Sequence, residues 1–190
     1  MTPQQETIRA QLELLAPNGL TINSVSATAA GQKVFLQTLP VATGGTYSIQ
    51  VTSVLGAGAY NLRMILNAAI EAEWLGGPGN NSLAEAQDLT AAWIEFGNGS
   101  ARAAVLGTAD GAGGTADLYR MDLVAGDVVG WLLSGTAGNQ PSLEVLDSAG
   151  TVLALSAGGG ANVGRSVREF VVPASGAYMR AWWEVANTRW

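Results

Sequence analysis

The sequence predicts an all-β chain, folded as an antiparallel, jelly-roll-like β-sandwich, and three observations carry that expectation. Apolar and polar residues alternate over most of the chain. In Tyr47-Ser48-Ile49-Gln50-Val51 this puts Tyr47, Ile49 and Val51 on one face. Glycine is abundant, at 25 residues, while only 13% of the chain is charged; that pairing suits a turn-rich sheet protein better than a helical bundle. Finally, one pattern occurs twice at a constant spacing. Leu12-Glu13-Leu14-Leu15-Ala16-Pro17-Asn18-Gly19 matches Leu143-Glu144-Val145-Leu146-Asp147-Ser148-Ala149-Gly150, and Gly45-Thr46-Tyr47 matches Gly176-Ala177-Tyr178, each 131 residues on. Pro40 and Pro173 also follow apolar runs in both copies. A period this long belongs to whole domains, not to solenoid repeats.

Taken in order, Thr7–Leu15 reads as a strand closed by the turn Pro17-Asn18-Gly19. Thr21–Val25 is a short strand and Ala27–Gln32 a loop. Lys33–Leu39 is a strand with Pro40–Gly45 as its turn. After Tyr47–Val51, Gly56-Ala57-Gly58 turns into Tyr60–Leu66, where Tyr60, Leu62, Met64 and Leu66 share a face. Strand starts about ten residues apart are the rhythm of a sandwich. Ser82-Leu83-Ala84-Glu85 has the form of a capping box, so a short helix is expected to about Leu89. Strands follow at Ala92–Phe96, Arg102–Leu106, Leu118–Val124 and, beyond the turn Gly126-Asp127, Val128–Leu133. Leu143–Leu146, Thr151–Leu155, Val167–Val172 and Tyr178–Val185 complete the set. Tyr47, Tyr60, Tyr119 and Tyr178 are expected in core packing.

The repeat divides the chain into 1–69, the C-terminal half of one copy, and 70–190, a second copy with an N-terminal linker and without its last strand. Nothing before Thr7 corresponds to Ala104–Trp131, and no counterpart of Gly58–Leu66 follows Trp190. Both ends are therefore expected to be cuts through an array of domains. Met1-Thr2-Pro3-Gln4-Gln5-Glu6 lacks the basic and apolar regions of a signal peptide. The expectation is a piece of a longer exported protein.

Composition narrows the chemistry. The net charge is −6 and no Lys/Arg cluster exists, which argues against nucleic acid and anionic membrane surfaces. No apolar run approaches the roughly 18–20 residues of a membrane span. Without cysteine there are no disulfides or thiolate metal sites; without histidine there is no imidazole base, Ser-His-Asp triad or His-ligated metal. The chain is not expected to be an enzyme. Gly158-Gly159-Gly160-Ala161-Asn162-Val163-Gly164 is not a phosphate loop, since it leads into a strand-like run and lacks the Lys-Ser/Thr pair.

What remains is the linker from Glu71 to Leu89. Glu71 and Glu73 lie two apart, so in an extended segment they point the same way. Asn80 and Asn81 can add carbonyl oxygens, and Asp110 and Asp117 bracket a glycine-rich loop that could bring a further carboxylate. Oxygen ligands on an irregular segment suit a hard cation such as calcium, although the EF-hand pattern is absent. Adjacent Trp182 and Trp183 must face opposite sides of a strand. Together with Trp74, Trp93, Trp131 and Trp190 they offer an alternative: a ligand-binding surface of exposed tryptophans.

Repeat and linker together resemble the bacterial pre-peptidase C-terminal domain, a β-sandwich found in tandem on secreted proteases, collagenases and surface proteins. The resemblance rests on Glu71-Ala72-Glu73, Asn80-Asn81-Ser82 and Ala86, on Asp117-Leu118-Tyr119-Arg120-Met121 leading to Ala125-Gly126-Asp127, on Leu143–Gly150, and on Pro173-Ala174-Ser175-Gly176-Ala177-Tyr178. It implies a non-catalytic spacer or binding module of a secreted or cell-surface protein, whose partners are neighbouring repeats of the same polypeptide and an extracellular collagen-type protein or polysaccharide. It also implies calcium at the linker, held by Glu71, Glu73, Asn81 and Asp117, with Asn80 and Asp110 beside them. This chain departs from the pattern in Trp74-Leu75-Gly76-Gly77-Pro78-Gly79, which lengthens the connection between glutamates and asparagines.

Overall fold

The computed structural model describes residues 1–3, 7–37, 39, 41, 43–108, 116–134, 141–156 and 164–184; of 141 and 181–184 it describes the backbone only. The fold is all-β. Helix among the described residues is confined to two single 3-10 turns, Glu73–Leu75 and Thr90–Ala92. None of it is long and apolar enough to cross a membrane.

Among the described residues, five strands precede residue 69: β1 (Thr2–Pro3), β2 (Arg9–Leu15), β3 (Thr21–Ser26), β4 (Ser48–Leu55) and β5 (Tyr60–Asn61). The linker and its continuation carry β6 (Ala69–Ile70), β7 (Gln87–Asp88), β8 (Ile94–Glu95), β9 (Ala101–Arg102) and β10 (Val105–Leu106). The second sandwich is built from β11 (Asp117–Leu123), β12 (Val128–Leu133), β13 (Pro141–Asp147), β14 (Val152–Leu155), β15 (Arg165–Val171) and β16 (Gly176–Glu184). Its main sheet runs β14-β13-β16-β11-β7, faced by the pair β12-β15; the first stretch forms the sheet β3-β2-β4. Most pairings are antiparallel, but the linker strands join in parallel, β6 to β10 and β7 to β11.

The sheets β3-β2-β4 and β14-β13-β16 coincide residue for residue at the 131-residue spacing. Leu12 faces Val51 as Leu143 faces Trp182, and Leu14 faces Ile49 as Val145 faces Arg180. On the other side Leu14 faces Asn23 as Val145 faces Ala154. Even the irregularity repeats: the register shifts between Leu14 and Leu15, and again between Val145 and Leu146. The turns have the same cause, a glycine in the left-handed region, Gly19 at φ 82° and Gly150 at φ 85°. In each turn the glycine N–H donates to the carbonyl three residues back, Ala16 or Asp147.

The larger core lies between the sheets of the second sandwich and comprises Met121, Leu123, Trp131, Leu143, Val145, Val167, Val172 and Tyr178. Phe170 bridges Trp131 and Tyr178, with ring centroids 5.6 and 6.2 Å away. A smaller core of Met1, Ile8, Ala10, Ala27 and Val34 serves the first sheet. Leu118, Leu146 and Met179 form a third cluster on the outer face of the main sheet, under Leu83 and Ala86.

That outer cluster explains why the expected helix after Ser82 does not form. Ser82 and Glu85 do meet, but not as a capping box: Ser82 Oγ donates to Glu85 Oε2 at 2.7 Å and the Glu85 N–H to Ser82 O at 3.1 Å, a side-chain pair across one turn. But a run this short gains little from helix propagation. Burying Leu83 and Ala86 and pairing Gln87–Asp88 with β11 wins instead. Two expected strands are also shorter than their alternation suggests. Among the described residues, the backbone pairing of Lys33–Leu39 is that of Val34 with Met1, and Tyr60–Leu66 pairs at Tyr60–Asn61. Met64 and Leu66 stay exposed, with no neighbouring strand among the described residues. Arg102–Leu106 is split between β9 and β10, and Ala92–Phe96 is reduced to β8. The glycine run 158–164 lies outside the described residues except for Gly164.

Candidate functional site

The linker begins as a strand, β6, paired with β10. The N–H groups of Ala69 and Glu71 donate to the carbonyls of Ala104 and Leu106, at 2.8 and 2.9 Å. Side-chain amides complete the backbone pairing. Gln37 Oε1 accepts from the Ile70 N–H at 3.0 Å; Gln87 accepts from the Ala72 N–H and donates to Ile70 O, both at 2.9 Å. Glu71 is thereby aimed inward.

Glu71 is 1% exposed. Its Oε1 accepts from the Tyr119 hydroxyl at 2.9 Å and from Asn80 Nδ2 at 3.4 Å; its Oε2 accepts from the Thr108 N–H at 2.9 Å. A charge taken out of water survives only with such compensation. Gly107 is part of the same arrangement: a Cβ there would lie 2.7 Å from Glu71 Oε2 and 3.0 Å from the Tyr119 oxygen.

The six residues from Trp74 to Gly79 do not separate the acids from the asparagines. Glu73–Leu75 makes a 3-10 turn that Gly76 ends at φ 81°, its N–H donating to Glu73 O at 2.8 Å. The chain then doubles back, and Asn80 O accepts from the Leu118 N–H at 2.8 Å, pinning the return to β11. Asn80 is 2% exposed, and its Oδ1 has no hydrogen-bond partner among the described residues. Asp117, also buried, begins β11 two residues before Tyr119.

The sequence-derived set therefore divides. Glu71, Asn80 and Asp117 gather around Tyr119. Glu73 and Asn81 pair with one another nearer the surface, Asn81 Nδ2 donating to Glu73 Oε2 at 3.3 Å. Asp110 lies outside the described residues. Among the described residues no three acidic side chains converge as a metal-binding group. The chemistry of the buried set nevertheless fits a hard cation: two carboxylates and an amide oxygen lacking a donor.

Burial pushes the Tyr119 phenol well above its ordinary pKa; the charge and hydrogen bond of Glu71 and the charge of Asp117 push the same way, and only the Asn80 hydrogen bond opposes them. Arg180, the register partner of Tyr119, is pushed down to about 10 by burial, against the pull of Tyr119. Its Nη2 donates to Leu132 O at 3.3 Å.

Tyr119, Gly107, Thr108 and Gln87 were not foreseen as parts of this site. Only Tyr119 carried a signal, as the second residue of Asp117-x-Tyr119 on one strand face. The tryptophans whose side chains are described form no exposed strip. Trp131 is buried, Trp93 packs against the main core, and Trp74 lies half-buried with Arg63 5.5 Å from its ring centroid. Comparison with protein-family models found no match to this chain, and comparison with curated protein sequences found none.

Proposed function

We propose that this chain is a non-catalytic β-sandwich module of an exported protein built from tandem copies, and that its linker is stiffened by a calcium ion. Glu71, Asn80 and Asp117 would hold the ion, with Asp110 and the nearby Glu73 and Asn81 as further oxygen donors. The observation that supports this is the burial of Glu71 beside an Asn80 oxygen that no donor among the described residues satisfies. Glu71 and Asp117 are both buried beside Tyr119, and a divalent cation would offset their charge. The chain's own residues do the rest. Tyr119 and the Thr108 N–H orient Glu71, and the 3-10 turn returns Asn80 to it. Absence of histidine and cysteine supports the non-catalytic reading.

Calorimetric calcium titration of the wild type and of a Glu71→Ala, Glu73→Ala double variant tests it. The expected result is binding heat for the wild type alone, with a melting temperature that rises with calcium. A ligand present at a hundred times its Kd stabilises by about 2.7 kcal/mol. Equal heats and calcium-independent melting in both proteins would remove the ion from the proposal.

A further inference from the structure

The sheet β3-β2-β4 ends on β4, and among the described residues no strand lies on its outer edge. Its counterpart β16 is flanked on both sides, by β13 and by β11, the latter over seven consecutive residue pairs. Sheet proteins usually guard a free edge with charge, proline or a bulge. Ser48-Ile49-Gln50-Val51-Thr52-Ser53-Val54-Leu55 has no charged residue and no proline, and its one irregularity, at Val54 opposite Arg9 and Ala10, leaves residues 48–53 regular. The inner face beside that edge is also incompletely covered. Leu14 is half-buried where its counterpart Val145 is sealed, and Ile49 is 37% exposed.

We propose that the free edge of β4 seats an extended segment of the β11 type, contributed by another unit of the same repeat. Shifting the β11–β16 register by 131 residues fixes how it would lie: the residues equivalent to Asp117, Tyr119 and Met121 fall opposite Val51, Ile49 and Tyr47. The incoming backbone supplies the missing ladder, and its alternate side chains cover Ile49 and Leu14. This inference rests on the tandem-repeat reading but not on the calcium site.

The test uses the full chain in EDTA and a synthetic peptide of residues 116–124, Ala-Asp-Leu-Tyr-Arg-Met-Asp-Leu-Val. Controls are a scrambled peptide and one carrying Tyr119→Pro, which removes a ladder N–H. Hydrogen exchange over Ser48–Leu55 is followed by mass spectrometry, and association state by sedimentation. The expected result is slowing of β4 exchange by at least about tenfold with the native peptide and by neither control. An Ile49→Lys chain that retains the wild-type melting temperature is expected to lose the effect. Three results would overturn the proposal: β4 amides equally protected without peptide, no difference between native and control peptides, or a dimer that protects β4 without peptide. Failure of the peptide alongside intact calcium binding would sink this inference alone.

Discussion

The Tyr119 hydroxyl donates a 2.9 Å hydrogen bond to Glu71 Oε1, joining the second sandwich to the linker that precedes it across 48 residues of chain. Both groups are buried, so neither has water as a substitute partner. Tyr119→Phe keeps the ring and deletes the donor. It is expected to destabilise the chain by about 1–3 kcal/mol, the cost of leaving a buried acceptor short of a donor. A lower urea midpoint with an unchanged slope checks this.

The same residue sets an alkaline limit. Its phenol is raised above the ordinary tyrosine value of about 10 in the folded chain. A group whose folded pKa is raised contributes stability that is complete below its unfolded pKa and lost as pH rises beyond it. Stability is therefore expected to fall above about pH 10, as the unfolded phenol ionises while the folded one does not. Arg180, lowered to about 10 in the folded chain, works against this from the same pH upward, because the unfolded chain there holds the extra proton. Comparing urea midpoints of wild type and Tyr119→Phe from pH 8 to 11 separates the two: the variant is expected to show the shallower alkaline decline.

Gly107 is required by space, not by backbone conformation. An added methyl would stand 2.7 Å from Glu71 Oε2, a buried atom with no room to retreat. Gly107→Ala is expected to cost stability on the scale of an overpacked core, about 1–3 kcal/mol. It is also expected to weaken calcium binding if the ion sits at Glu71. Thermal melts with and without calcium measure both effects.

How much of this was legible depended on whether a signal was local. The strands of the main sheet could be read because alternation and glycine turns act within a few residues, as at Leu143–Leu146 and Gly150. The repeat spacing was legible too, and the pairing of Leu14 with Ile49 and of Val145 with Arg180 follows it. The linker was not legible in detail. Gln37 and Gln87 satisfy its backbone from 33 and 17 residues away, and Thr108 reaches Glu71 across 37. Such partners are chosen by tertiary packing, which overrides the helix that Ser82 and Glu85 advertise.

The two copies also differ in how completely they are sealed, and one hydrogen bond measures the difference. Tyr47 and Tyr178 occupy equivalent positions, and each hydroxyl donates at 2.6 Å to a carbonyl four residues back, Thr43 or Ala174. Tyr178 is buried in the main core, while Tyr47 is only half-buried at the edge of the smaller sheet. The Tyr47 bond is exposed, so water can replace it; the Tyr178 bond is part-buried, so its loss costs more. Tyr178→Phe is therefore expected to cost about 1 kcal/mol or more, and Tyr47→Phe clearly less. Leu143→Ala against Leu12→Ala repeats the comparison for packing, with about 2–5 kcal/mol expected and the larger loss at Leu143, which is fully enclosed. Urea unfolding of the four variants checks the ordering. If the Tyr47 and Leu12 variants prove as costly as their counterparts, the first sheet is as fully covered in solution as the second.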